Sequence, residues 1–329
     1  MYRRTLGPFE VSAIGFGCMS LSHGYGPGPD EDTAIRLLNQ ALDEGHSLLD
    51  TAALYGFGQN ETLLGKAVMH RRDEFVLSSK CGIFRNEAGQ REINGRPEVL
   101  RQTCEASLQR LNTDVIDLCY LHRWDKQVPI EESVGALADL VHEGKIRALG
   151  LSEVSAATLR KAHAEHPISA VQSEYSLWTR EPEIAVLQAC KTLGTAFVAF
   201  SPLARGFLTG GLLDPQQLAD NDIRRSMPRF DPENYPANLA LLREYRRIAA
   251  EADCSMGQLA LAWLLARDTH IIPIPGTGHA GHLIENSHSA GIVLSPDMMQ
   301  RLEELINPQT VRGARYNEAS LREVDTETF

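Results

Sequence analysis

Eight strand-length apolar runs alternating with amphipathic helices, several of those runs apolar on both faces, predict a closed α/β fold, a (β/α)8 TIM barrel. Alternation of strands with helices implies a parallel sheet. Runs such as 115–121 and 197–200 are largely apolar on both faces, as strands covered on both sides should be. Eight units favour a closed barrel over an open sheet, and no linker, repeat or low-complexity stretch divides residues 1–329, so a single domain is expected.

The elements follow in order. A β-hairpin is expected at Tyr2–Leu6 and Glu10–Ala13, turned through Gly7-Pro8. Ile14–Met19 reads as a strand. Asp32–Glu44 follows with apolar residues at 34, 35, 37, 38, 41 and 42, which is helical spacing. Ser47–Ala52 is strand-like and Glu61–Met69 helical; Phe75–Lys80 is a strand and Pro97–Leu111 a helix, with proline in the first turn where no N–H is missed. The alternation continues through Ile116–His122 and Ile130–Glu143, Ile146–Ser152 and Ser155–His166, Ala170–Tyr175 and Glu183–Leu193, then the strand Ala196–Ser201. Residues 204–237, rich in Gly, Pro, Arg and Asp, show no period and read as a flap or surface insertion. Helices at Asn238–Ala252 and Met256–Arg267, a strand at Ile271–Pro275, helices near His282–Ala290 and at Pro296–Ile306, and a polar C-terminal tail complete the chain.

The charge balance, 32 basic against 43 acidic residues, argues against nucleic acid or an anionic membrane as partner. No stretch approaches 18 apolar residues, and the start lacks an apolar signal core, so a cytoplasmic protein is expected. The six cysteines form no CxxC pair and read as free, mostly buried thiols. His122 is the only histidine expected at the C-terminal end of a strand and HExxH is absent, so no metal is expected. The oligomeric state is not set by the sequence.

Three segments carry the chemistry. Asp50-Thr-Ala-Ala-Leu-Tyr55-Gly56, Ser78-Ser-Lys80-Cys81 and Leu121-His122-Arg123 place a carboxylate, a phenol, an ammonium and an imidazole at or just past strand ends. In a barrel those ends share one rim, where functional groups belong. A free phenol is too weak an acid for neutral pH; a nearby cation stabilises the phenolate. Asp50 is suited to hold Lys80, and His122 to orient a substrate oxygen. Asp50, Tyr55, Lys80 and His122 are thus the candidate catalytic residues for protonating a carbonyl oxygen.

With these segments, Gly15-Phe-Gly-Cys-Met19, Asn60-Glu61, Leu64-Gly65, Gly150-Leu-Ser152, Gln172, Phe200-Ser-Pro-Leu203, Gly206, Pro275-Gly-Thr277 and Glu285-Asn286 stand in an order that resembles the aldo-keto reductases over nearly the whole chain, specifically the bacterial, plant and fungal branch with Ser-Pro-Leu after the seventh strand. The resemblance implies NADPH-dependent reduction of an aldehyde or ketone, or the reverse, on a barrel that binds the nicotinamide cofactor extended. It implies Ser152 and Gln172 at the carboxamide, Phe200 stacked on the ring, and Ser201, Pro202, Leu203, Arg205 and Gly206 along the pyrophosphate. Gly276, Thr277, His282, Glu285 and Asn286 would meet the adenosine end, and Gly17, Cys18, Met19 and Asp50 would line the same groove. The alternative within the resemblance is a nicotinamide-sensing regulatory subunit in which turnover is incidental.

Two departures stand out. Where the family often has Asn after the serine of the 150–152 segment, this chain has Glu153, which cannot donate to a carboxamide oxygen. Where many relatives carry Arg or Lys around the 2′-phosphate, this chain has Gly278 and His282, with His279 adjacent. Imidazole lacks the bidentate fork of guanidinium, so NADH is possible beside a favoured NADPH. For a small-molecule carbonyl or alcohol substrate, the loop residues Tyr25, Leu54, Phe57, Phe84 and Trp124 form the expected apolar wall, with Trp178 a further candidate. Arg123 and Arg180 are candidates to meet an acidic substituent.

Overall fold

In the computed structural model, which describes residues 1–86 and 88–329, the chain opens with an antiparallel hairpin of β1 (Arg3–Leu6) and β2 (Phe9–Ser12). The barrel strands begin with β3 (Phe16–Gly17), β4 (Leu48–Asp50) and β5 (Val76–Cys81). A second hairpin, β6 (Ile83–Arg85) with β7 (Arg91–Ile93), rises from the end of β5. The remaining barrel strands are β8 (Ile116–Leu121), β9 (Ile146–Ser152), β10 (Ala170–Glu174), β11 (Ala196–Phe200) and β12 (Ile271–Pro273). The eight strands β3, β4, β5, β8, β9, β10, β11 and β12 pair in parallel in that order.

The barrel closes between its first and last strands, where Gly15 N donates to Pro273 O at 3.0 Å and Gly17 N to Pro275 O at 3.1 Å. This approach requires glycine: a Cβ at Gly17 would stand 2.7 Å from Ile274 O, and one at Gly276 only 2.5 Å from Gly17 O. Side chains alternate across each strand. In β8, Leu118 and Tyr120 fill the barrel with Leu48, Ala148, Val198 and Ile272, above the hairpin residues Leu6 and Val11. Cys119 and Leu121 point the other way and pack beneath the helices.

The outer helices are α1 (Glu31–Asp43), α2 (Gln59–Ala67), α3 (Pro97–Leu111), α4 (Ile130–His142), α5 (Ala156–Glu165), α6 (Val186–Leu193), α7 (Tyr235–Glu251), α8 (Met256–Arg267), α9 (Ala280–His288), α10 (Pro296–Leu305) and α11 (Glu318–Arg322). Local chemistry sets their ends. Asp30 caps α1 by accepting from Thr33 N, and α3 starts on Pro97 and stops at Asn112, whose φ is 53°. Ser255 and Gln258 form a reciprocal capping box on α8. Helix α6 starts three residues later than its spacing suggests, because Glu181–Glu183 form a 3₁₀ turn in which Arg180 holds Glu183.

Three expectations need amendment. The β6–β7 hairpin and α11 are too short to show a period. Residues 204–230 hold a series of 3₁₀ turns, Ala204–Thr209, Pro215–Gln217, Ile223–Ser226 and Pro228–Phe230, tied to the loop after β3 by Ile223 N donating to Gly24 O at 3.0 Å, and the last three residues of the 204–237 stretch already belong to α7. The tail does not trail off. Arg315 forms a buried ion pair with Glu153, and the Asp325 carboxylate accepts from Ser155 N at 3.1 Å and Ser155 Oγ at 3.0 Å. Five cysteines are buried and Cys254 is half-buried, all free thiols.

Candidate active site

Strand β4 ends on Asp50, β5 carries Lys80 one residue from its end, His122 follows β8, and Tyr55 sits in the turn after β4. Parallel pairing brings the four to one rim. Lys80 Nζ donates to Asp50 Oδ1 at 2.5 Å, to Thr51 O at 2.8 Å and to the Tyr55 hydroxyl at 3.1 Å, which uses all three ammonium protons. Asp50 Oδ2 accepts from Ser78 Oγ at 2.7 Å and Gln172 Nε2 at 2.8 Å, so the carboxylate is fixed from both sides. The His122 ring stands edge-on to Tyr55 at 6.0 Å, and its buried Nδ1 has no partner among the described residues.

Burial dominates the electrostatics. It pushes the Tyr55 phenol above its ordinary value, with Lys80 pulling the other way. Lys80 acts in the direction expected of a nearby cation, but burial is the larger effect, so Lys80 limits a rise that burial imposes. Burial also opposes charge on Lys80, but Asp50 and Tyr55 more than offset it and hold the ammonium above its usual range. His122 is held well below the usual imidazole range by burial and by the charges of Arg123 and Lys80, so its ring is neutral at physiological pH.

Asp50, Tyr55 and His122 open onto a cavity of about 810 Å³, within the range of small-molecule sites, and Lys80 is buried behind them. Of the residues anticipated along a cofactor groove, Gly17, Met19, Asp50, Ser152, Gln172, Phe200, Ser201, Pro202, Leu203, Arg205, Gly206, Gly276, Thr277, His282, Glu285 and Asn286 line it. Cys18 does not; it is buried behind the wall with Sγ toward Phe16 O. The turn after β11 is conformationally costly, with Ser201, Ala204 and Arg205 at φ values of 49°, 51° and 57°, a pattern concentrated at functional sites. At the far end, α9 begins with no side-chain cap and no acidic residue in its first turn. That N-terminus suits an anion. A row of hydrogen-bonding groups from Ser152 and Gln172 to the start of α9 fits an elongated, phosphate-bearing ligand.

The apolar wall is smaller than anticipated. Tyr25 and Leu54 line the cavity. Phe57 and Phe84 face a separate cavity of about 440 Å³, and Phe57 lies 3.9 Å beneath the Arg85 guanidinium. Trp124 donates from Nε1 to Val128 O at 2.9 Å and packs on the core. Trp178 is buried, stacked on Phe207 at 4.1 Å, and Arg180 is engaged by Glu183. Being on a loop after a strand places a residue near the rim without deciding which way it points.

Glu153 explains its own departure. It adopts φ 57°, accepts from Glu174 N at 3.0 Å and pairs with Arg315, so it anchors the tail and does not face the cavity. The tail's Tyr316, Asn317, Ser320 and Glu323, together with His23, Arg91, Arg123, Ile223 and Arg224, are lining residues absent from the anticipated groove and wall. His23, whose ring stacks on Tyr55 at 6.0 Å, lies beyond the 3₁₀ turn that follows β3, so the strand-end rule reached it only weakly. The tail residues carried no such signal.

Among the described residues no cluster of His, Cys, Asp and Glu could hold a metal, and no helix is long and apolar enough to cross a membrane. Residues 13–307 match the model of the Aldo/keto reductase family. The chain is 42% identical over 319 residues to the aldo-keto reductase yakc [NADP(+)] of Schizosaccharomyces pombe, covering 95% of this chain and 94% of that protein. Its fold is similar to the glycerol dehydrogenase of Gluconobacter oxydans, with a TM-score of 0.84, 28% identity, and coverage of 92% and 94% of the two chains. It is also similar to an aldo-keto reductase of Klebsiella pneumoniae solved in complex with NADPH, with a TM-score of 0.72, 26% identity, and coverage of 96% and 99%.

Proposed function

The chain belongs to the aldo/keto reductase family, and from that premise we propose that it reduces an aldehyde or ketone to an alcohol, or runs the reverse reaction, with NADPH as the favoured cofactor. The observation that carries this reading is the buried ammonium of Lys80 held between Asp50 and the Tyr55 hydroxyl, both of which line one cavity. When bound, the reduced nicotinamide would supply a hydride to the carbonyl carbon. Tyr55 donates the proton that the carbonyl oxygen gains. The phenolate left behind is stabilised by Lys80 at 3.1 Å, and Asp50 keeps that ammonium in place. Neutral His122 is able to hold the substrate oxygen by a hydrogen bond without competing as a charged acid.

Binding is distributed along the groove. Ser152 and the carbonyl oxygen of Gln172 are assigned to the carboxamide, since the Gln172 NH2 is already engaged by Asp50. Phe200 is assigned to the ring face, Ser201 to Gly206 to the pyrophosphate, and Thr277, Glu285 and Asn286 with the start of α9 to the adenosine end. In support, yakc carries NADP(+) in its name and the Klebsiella protein is complexed with NADPH.

The test is Tyr55→Phe, assayed by NADPH oxidation against a panel of aldehydes. We expect near-native NADPH binding and a fall in turnover of at least ~100-fold, the scale of losing a general acid. Near-native turnover would remove Tyr55 from the role of proton donor, and no turnover by the wild type on any aldehyde or ketone would remove the reading as a whole.

A further inference from the structure

Four arginines line the cavity, and three of them are neutralised within the chain. Arg91 pairs with Glu323 through two hydrogen bonds of 2.7 and 2.8 Å, Arg205 with buried Glu174 at 2.7 Å, and Arg224 with Asp222 at 2.7 Å. Arg123 differs. Its Nη1 donates to His122 O at 2.7 Å and to Ser152 Oγ at 3.1 Å, which are neutral acceptors, and among the described residues it has no carboxylate partner. Its Nε and Nη2 make no hydrogen bond to the described residues, although the side chain is half-buried.

A half-buried guanidinium without a counter-charge is costly, and two unused donors on one face suit a planar anion. Its position says which anion. Arg123 follows His122 directly and touches Ser152, at the ends of adjacent strands β8 and β9, whereas the turn assigned to the pyrophosphate follows β11 and the uncapped helix start belongs to α9. The guanidinium is close enough to depress the His122 imidazole and to help hold down the Tyr55 phenol. The anion it would meet is therefore carried by the molecule whose carbonyl faces Tyr55.

We propose that Arg123 is a specificity-determining residue that selects carbonyl substrates bearing a carboxylate near the reacting carbon. This deepens the carbonyl-reductase reading and rests on it. The carboxylate would accept from Nε and Nη2, while Nη1 stays on His122 O and Ser152 Oγ and keeps the fork from turning away.

The experiment compares 2- and 4-carboxybenzaldehyde with their methyl esters, which keep the shape and remove the charge. For wild type we expect kcat/KM at least about tenfold higher for one acid than for its ester, carried by KM, and a ratio that shrinks as salt rises. Arg123→Met is expected to lower kcat/KM for that acid about tenfold more than for the ester, and Arg123→Lys to restore part of the ratio. Equal ratios in wild type would overturn the proposal without any variant. An equal loss on acid and ester in Arg123→Met would also overturn it and assign Arg123 to positioning His122. If neither acid nor ester is turned over while other aldehydes are, the carboxylate class is wrong. If no carbonyl compound is turned over, the failure lies in the reductase reading.

Discussion

Tyr55 carries a phenol that burial makes a weaker acid and a lysine makes a stronger one, and in the proposed role of proton donor its rate would depend on how far the second effect offsets the first. Removing the cation in Lys80→Met should raise the phenol further, so the alkaline fall in reduction rate moves to higher pH while the rate at neutral pH drops. Ultraviolet titration of the phenols, with Tyr55→Phe used to assign the step, measures this directly. An unmoved step would show that Lys80 does not tune Tyr55. At the other end of the groove the decisive residue is small. Gly278 has ordinary backbone angles, and a Cβ there would meet Pro29 only at 3.4 Å, so a side chain is tolerated. With His279 and His282 packed at 5.2 Å beside it in place of guanidinium or ammonium, NADPH should be preferred only modestly over NADH. Gly278→Arg should tighten NADPH by ~1.5–3 kcal/mol with little effect on NADH. Paired dissociation constants check this; a wild-type preference above ~1000-fold, about 4 kcal/mol, would mean that another group holds the phosphate.

Among the elements, those with a period were legible in the sequence and those held by distant ion pairs were not. Helices α3 and α8 and strand β9 span the same residues that spacing alone suggests, because each buries one face or two continuously. Strand ends then located Asp50, Lys80 and His122, since a parallel barrel delivers all its C-terminal ends to one rim. The side of the cavity built by residues 312–329 had no such signal. Its place is set by Arg315 reaching Glu153, which lies 162 residues earlier in the chain, and by the Lys126 ammonium donating to Val324 O at 2.8 Å. Breaking that buried pair one partner at a time should be worse than removing both. Glu153→Gln and Arg315→Met should each destabilise the fold by about 3–5 kcal/mol, and the double variant by less than either. Urea denaturation of the three proteins, with limited proteolysis of the tail, tests the coupling; strict additivity would show that the pair does not anchor this segment.

The whole molecule is a ring of eight strands, and a ring has a weakest joint. Neighbouring strands β8 and β9 stay in register from Ile116 to Leu121, whereas β3 and β12 are joined by only the two main-chain bonds from Gly15 and Gly17. That seam is the place where the barrel should breathe most easily, since local opening follows the sparsest contacts. Gly17 stands on one side of it and Gly276 on the other, and both face the cavity. A dinucleotide lying across them would rivet the two edges, so occupancy at one end of the groove would be felt as stiffness of the ring. Amide hydrogen exchange should register this as slower exchange at Gly15 and Gly17 on adding NADPH, with Leu118 and Leu149 in the middle of the sheet slow already and little changed. Uniform slowing throughout would instead mean that the ligand stabilises only the fold as a whole. With the rivet, losing its cofactor would make this enzyme not merely idle but looser along one predictable line.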